Sequence, residues 1–268
     1  CSSTVNVLDT IAPEANCLAF NGLVVYLDQN GQASITAEQL DGGSADNDSI
    51  ASFSASQTAF DCGDIGSLVD TLFVMDAAGN ISMCVATVIV MDTIAPTVSC
   101  QNITVMLDST GMAVIDAAGL DNGSTDNCGG LVFTCDLDTL TTIGSFTATL
   151  TVTDGSGNSS ICSSSISVVD GIAPVAICQP TSIYLDAKGN ASISASDIDG
   201  GSTDNATIAS ITASQLNFSC NDLGANNVTL TVTDNSGLVD SCTALVSVLD
   251  TLAPVVICQN ITLGLTVG

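Results

Sequence analysis

The residues with chemistry to offer in this chain are carboxylates and thiols. Aspartate and glutamate number 28 and cysteine 12, against one base, Lys188, and no histidine. The acids fall into recurring sets: Asp9, Asp41, Asp46, Asn47, Asp76 and Asn80; then Asp92, Asp121, Asp126, Asn127, Asp154 and Asn158; then Asp170, Asp199, Asp204, Asn205 and Asp234, with Asp250 opening a further set. Clustered oxygens with no base nearby suit a hard cation. The same composition excludes much else. A formal charge of −27 repels nucleic acid and anionic membrane surfaces. Without histidine the commonest general acid–base is missing, and phosphate clamps need Arg or Lys. Catalysis needs a constellation that occurs once, and these residues recur, so no catalytic residue is assigned and the chain reads as a non-enzyme.

The elements that position these acids repeat. Asp9-Thr10-Ile11-Ala12-Pro13 returns as Asp92 to Pro96, Asp170 to Pro174 and Asp250 to Pro254, with the prolines 83, 78 and 80 residues apart. Three full repeats follow, at 10–92, 93–170 and 171–250. Residues 1–9 match the last strand of a preceding repeat and 251–268 the first strand of a following one, so the chain reads as a window on a longer precursor. Within each repeat an apolar stretch leads to a glycine turn (Asp28–Gly31, Asp108–Gly111, Asp186–Gly189), expected to close a hairpin. A polar loop follows at 41–47, 121–127 and 199–205, then two long strands joined by a turn at Asp76, Asp154 or Asp234. Val228, Leu230 and Val232 alternate with Thr229, Thr231 and Thr233, the signature of a half-buried strand. About seven strands in 80 residues predict an all-β chain of tandem immunoglobulin-like β-sandwich domains in an extended array.

That topology puts the linker aspartate, the polar loop and the final turn at one end of each domain. Calcium is the expected cofactor, because flexible loops can supply six to eight oxygens at irregular angles, and the linker aspartate would tie two domains together. The competing reading takes Asp, Asn, Gly and Ser as ordinary turn formers.

Twelve cysteines without histidine argue for disulfides and an oxidising exterior rather than zinc. In such a sandwich the first and last strands lie side by side, predicting Cys17 with Cys84, Cys100 with Cys162 and Cys178 with Cys242. Cys1 and Cys258 would pair outside the chain, and Cys128 with Cys135 would close a short hairpin. Cys62 and Cys220 are either buried free thiols or interdomain or interchain cross-links.

The order I-A-P-x-x-x-C, S-x-D-N, L-T-V-T-D-x-S-G-N and a cysteine before the final strand resembles the hyalin-repeat type of Ig-like module, as in tandem copies in secreted surface proteins of Bacteroidota. The loop cysteine of that pattern stands only at Cys128, with Asp48 and Ala206 elsewhere, and Leu238 replaces the Asn80 and Asn158 of the other repeats. Asp-(Ser/Thr)-apolar triplets at Thr10, Ser49, Thr71, Thr93, Thr139 and Thr251 resemble the O-glycosylation acceptor of the same group. The expected function is a structural segment of an extracellular fibre or adhesin stalk, on the cell surface or in a secreted filament. Its partners are neighbouring repeats or other copies in a fibre, with no nucleic acid and no direct membrane insertion. The alternative is an adhesion module whose repeats themselves bind surface glycans or proteins.

Overall fold

The computed structural model describes residues 1–18, 22–259, 261, 263 and 264. Parts of two expected segments, 19–21 in the first repeat and 260, 262 and 265–268 in the first strand of a following repeat, lie outside the described residues. The chain is all-β, and a series of six strands occurs three times. The first series is β1 (Leu23–Tyr26), β2 (Gln32–Ser34), β3 (Ile50–Ala55), β4 (Ala59–Asp61), β5 (Gly66–Asp76) and β6 (Ile81–Met91). The second is β7 (Ile103–Met106), β8 (Ala113–Val114), β9 (Val132–Cys135), β10 (Thr139–Leu140), β11 (Gly144–Thr153) and β12 (Ser159–Val169). The third is β13 (Thr181–Tyr184), β14 (Asn190–Ser192), β15 (Ile208–Ala213), β16 (Asn217–Ser219), β17 (Gly224–Asp234) and β18 (Val239–Leu249). Backbone proximity groups the chain into two compact units, one of Cys1–Ile103, Asp116–Asp138 and Thr147–Ser165, the other of Thr104–Ile115, Thr139–Phe146 and Ile166–Gly268.

In the first unit β1, β6, β5 and β3 lie in that order in one sheet, and β2 pairs with β4 in another. β1 runs parallel to β6, with Leu23 opposite Val88, while β5 and β6 form a long antiparallel hairpin. Alternation explains the layers. Leu72 and Val74 of β5 and Ala86, Val88 and Val90 of β6 point inward, meeting Val25, Leu27, Ile35, Leu40 and Phe60 in one core. Their odd-numbered neighbours Phe73, Met83 and Val85 face solvent. This unit also holds β9 antiparallel to β11, Leu150 opposite Cys135.

The second unit repeats the plan. Its sheet orders β13, β18, β17 and β15, β14 pairs with β16, and β8 pairs with β10. Leu185, Ile193, Ile198, Phe218, Val228, Leu230, Val232, Ala244, Val246 and Val248 make its core.

Two expectations change here. The turn at Asp28–Gly31 is tight, with Gly31 N–H donating to the Asp28 carbonyl at 2.9 Å, yet β1 and β2 on either side belong to different sheets, so it is a sheet-switching corner and not a hairpin. Among the described residues, the segment after each linker proline makes only isolated bridges, Glu14 with Ala45 and Cys17 with Asp41 in the first repeat, so six regular strands are seen where seven were expected. Residues 1–9 and 251–259 carry no strand and are exposed apart from half-buried Asp9.

Candidate metal centres and the disulfide frame

The final hairpin turn supplies a buried carboxylate to each set, Asp76, Asp154 or Asp234. Asp76 ends β5, and one of its oxygens accepts the Asn80 N–H at 2.8 Å while the other accepts the Asn80 side-chain amide at 2.7 Å. Burial pushes the Asp76 carboxyl up, but these bonds and those from Gly79 and Ala78 outweigh it and hold the group below its usual range. Asp154 is seated in the same way by Asn158. In the third repeat Asp234 accepts from Ser236 and Leu238 N–H, both at 2.8 Å, and Leu238 has no side-chain amide like that of Asn80, so the second Asp234 oxygen is buried without a partner.

The polar loop and the linker bring two more acids to each turn. One oxygen each from Asp9, Asp46 and Asp76 lie within 4.8 Å of one another, and the same holds for Asp92, Asp126 and Asp154 and for Asp170, Asp204 and Asp234. Each loop or linker acid of the second and third groups uses one oxygen locally. Asp126 and Asp204 accept from Cys128 and Ala206 N–H, while Asp92 and Asp170 accept from Ile94 and Ile172 N–H. The other oxygen of each is buried and unpartnered, as is that of Asp46, and so are the side-chain oxygens of Asn127 and Asn205. Asp92 is 5 % exposed and Asp170 8 %. Buried oxygens without donors are costly, and unit charges 4.8 Å apart repel by about 3–4 kcal/mol at an effective dielectric near 20. An oxygen-only donor set with no imidazole or thiol in it fits a hard divalent cation.

Other expected ligands do different work. Asp41, Asp121 and Asp199 stand outside these groups, and an oxygen of each accepts from its own loop, from Ser44, Ser124 and Ser202 respectively. The Ser124 hydroxyl holds Asp121 below the usual carboxylate range, and Ser202 does the same for Asp199. Asn80 and Asn158 turn their NH2 groups inward, toward the backbone carbonyls of Asp9 and Ile11 and of Asp92 respectively, and orient the turn. Asn47 reaches Asp9 at 3.4 Å. Asp250 is exposed and accepts from Leu252 N–H at 3.0 Å.

Asn127 and Asn205 were expected only as ligands, and their amides do more. Asn127 Nδ2 donates to Asp92 Oδ1 at 3.1 Å and to the Asp28 carbonyl, across the corner turn of the preceding repeat, at 3.2 Å. Asn205 makes the matching pair to Asp170 and the Asp108 carbonyl, both at 3.1 Å. Asp70 fills an inward slot on β5 that is Ala148 in the second repeat and Val228 in the third, so no recurring motif marks it. It is 2 % exposed and accepts from Ser56 Oγ and Gln57 N–H, pinning the β3–β4 connection.

Four disulfides frame the chain. Cys17 joins Cys84, Cys100 joins Cys162 and Cys178 joins Cys242, with Cα separations of 5.7, 6.1 and 5.8 Å. The expected Cys128–Cys135 bond is not formed. The Asn127 contact carries Cys128 to Cys62, Cα atoms 5.4 Å apart, and Cys135 on β9 keeps a free thiol, as do Cys1, Cys220 and Cys258. Of the six expected glycosylation residues, Thr10, Ser49, Thr93, Thr139 and Thr251 are exposed and Thr71, inside β5, is half-buried.

Among solved structures the chain is similar to mouse cadherin-23 repeats EC22–24, at 13 % identity and TM-score 0.32 over 90 % of this chain and 99 % of that one. It is also similar to protocadherin gamma B7 cadherin domains 1–4, at 14 % and 0.30 over 88 % and 76 %. Sidekick-1 immunoglobulin domains 1–4 match at 9 % and 0.33 over 88 % and 76 %. Likenesses this loose assign no function. No protein-family model and no curated protein matches the chain, so the hyalin-repeat likeness rests on its motif residues.

Proposed function

We propose that this chain is a structural segment of an extracellular fibre or adhesin stalk. In this reading three Ig-like domains, at 10–92, 93–170 and 171–250, follow one another, each stapled internally by a disulfide and stiffened at the linker by calcium. The observation that carries it is the linker aspartate. Asp92 and Asp170 each keep one buried oxygen without a donor, beside a loop acid and a turn acid, and the loop asparagine clamps each of them to the preceding repeat's corner. A cation held there would fix the linker in one geometry, which a stalk needs and a lone binding module does not. Asp92, Asp126, Asp154 and Asn127 would hold one ion, and Asp170, Asp204, Asp234 and Asn205 another. Asp9, Asp46 and Asp76 form a third candidate group.

Calcium suits the donors better than magnesium because they come from three loops and include a neutral amide oxygen, a set unlike a compact octahedron. Four disulfides suit an oxidising compartment outside the cytoplasm, and self-association or covalent continuation into a fibre follows from the repeated design. Bound metal counted by elemental analysis after dialysis tests the reading. At least one calcium per linker supports it, and a metal-free protein in millimolar calcium overturns it.

A further inference from the structure

We propose that the corner turn at Gly189, together with the Cys220 thiol, is a docking seat for the Asp-Asn-Cys loop of a further repeat of this kind, closed by a disulfide between Cys220 and that loop's cysteine. The seat is seen filled twice. At the first corner Gly31 has φ +70°, and a Cβ on it would fall 2.8 Å from the Asn127 carbonyl oxygen and 2.5 Å from Cys62 Sγ. The incoming loop therefore lies directly on the glycine. Asn127 Nδ2 donates to the Asp28 carbonyl behind the turn, and the next residue, Cys128, bonds to Cys62. At the second corner the Asn205 carbonyl covers Gly111 so closely that a Cβ there would collide with it, and Asn205 Nδ2 takes the Asp108 carbonyl. Both glycines are buried.

The third corner has every receiving part. Gly189 has φ +74°, the Asp186–Gly189 turn closes as the others do at 2.9 Å, and Cys220 Sγ sits 3.7 Å from the Gly189 carbonyl, the same distance that separates Cys62 Sγ from Gly31. Among the described residues no loop lies on it. Gly189 is half-exposed, Cys220 is an exposed free thiol, and a Cβ on Gly189 would meet Cys220 Sγ at 2.6 Å and no incoming carbonyl.

The cysteines are distributed as pairs across corners. Where the receiving repeat has Cys62 before Gly66, the incoming loop has Cys128. Where the receiving repeat has Thr141 and Thr142 before Gly144, the incoming loop has Ala206, and those threonines line one cavity with it. Cysteine thus occurs on both sides or on neither. Cys220 before Gly224 restores the receiving cysteine, so the loop that seats there carries a cysteine at the position of Cys128. Cys135 is not an equivalent thiol, because its sulfur accepts Leu137 N–H at 3.4 Å and lies beside Asp136, with no corner glycine beside it.

The bond forms by thiol–disulfide exchange. Cys220 and the loop cysteine give up two protons and two electrons, and a small-molecule or protein disulfide of the exterior is reduced to two thiols. The test is a disulfide map of the protein as secreted, with free thiols blocked by N-ethylmaleimide before digestion. Because the chain has one Lys and no other base, cleavage before aspartate replaces trypsin. The expected result is a Cys220 peptide linked to a peptide containing Asp-Asn-Cys, separating on reduction. Cys220 found alkylated, or linked to Cys135, to a second Cys220 or to any other sequence, overturns the proposal. Repeating the map after chelation keeps it apart from the cation reading, since this bond persists without metal.

Discussion

Asp92 and Asp170 each spend one carboxylate oxygen on the local backbone and on an asparagine amide, leaving the other buried and unpartnered. A cation removes that cost, so Asp92→Asn and Asp170→Asn are expected to lose most of any calcium-induced rise in melting temperature while melting in chelator no lower than the parent chain. Calorimetry with calcium and with EGTA checks this, and a ligand present at a hundred times its Kd gives about 2.7 kcal/mol to lose. Asp121→Ala is the contrasting variant. It removes the bonds to Ser124 and costs about 1 kcal/mol with calcium stoichiometry unchanged. The residue scale also sets the acid response. Asp28, Asp108, Asp121 and Asp199 are held below their ordinary range by bonds to Gln32, Thr110, Ser124 and Ser202 respectively. Their contribution is complete above the unfolded carboxylate value near 4 and is lost as pH falls through the depressed folded values. A melting series in EGTA from pH 6 to pH 3 should therefore be flat at first and decline below about pH 4.

At the scale of elements, the strands were legible because burial repeats every second residue, as in Val228, Leu230 and Val232. The three disulfides within repeats followed from the first and last strands lying side by side, with which the alternation agrees. The corner turns were misread as hairpins because Asp-x-x-Gly reports only local chain reversal. Whether the flanking strands stay paired depends on Val25 of β1 and Ala33 of β2, which pack on the core from different sheets. The site was legible to the level of which loops converge. Which acids converge was not, because Ser44, Ser124 and Ser202 capture Asp41, Asp121 and Asp199 through bonds three residues long that any turn-forming loop can make. The Asn127 contact to Asp28 joins residues 99 apart and has no local signature. Because that contact lies on Gly31, Gly31→Ala is expected to be costlier than Gly79→Ala. Both positions have positive φ, worth about 1–2 kcal/mol of strain, but only at Gly31 would the methyl also strike a neighbouring backbone. Urea midpoints of the two variants measure the difference.

For the whole molecule, the proposed cation sites would add metal-dependent contacts to disulfides that survive chelation. Each of the Cys17–Cys84, Cys100–Cys162 and Cys178–Cys242 bonds closes a loop with sequence separation of 62 to 67 residues, which the chain-entropy account values at about 4 kcal/mol. Reduction in EGTA is therefore expected to unfold the chain at temperatures where the oxidised chain in EGTA remains folded, as read by far-ultraviolet circular dichroism. The central claim, that cations at the linker acids stiffen a repeated extracellular segment, is tested most directly by the melting temperature of the oxidised chain in millimolar calcium and in EGTA, with bound calcium counted in the same samples. The account predicts a rise of several degrees with at least one calcium per linker. Equal melting temperatures and no bound calcium would contradict it, leaving disulfides and sandwich packing as the sources of order.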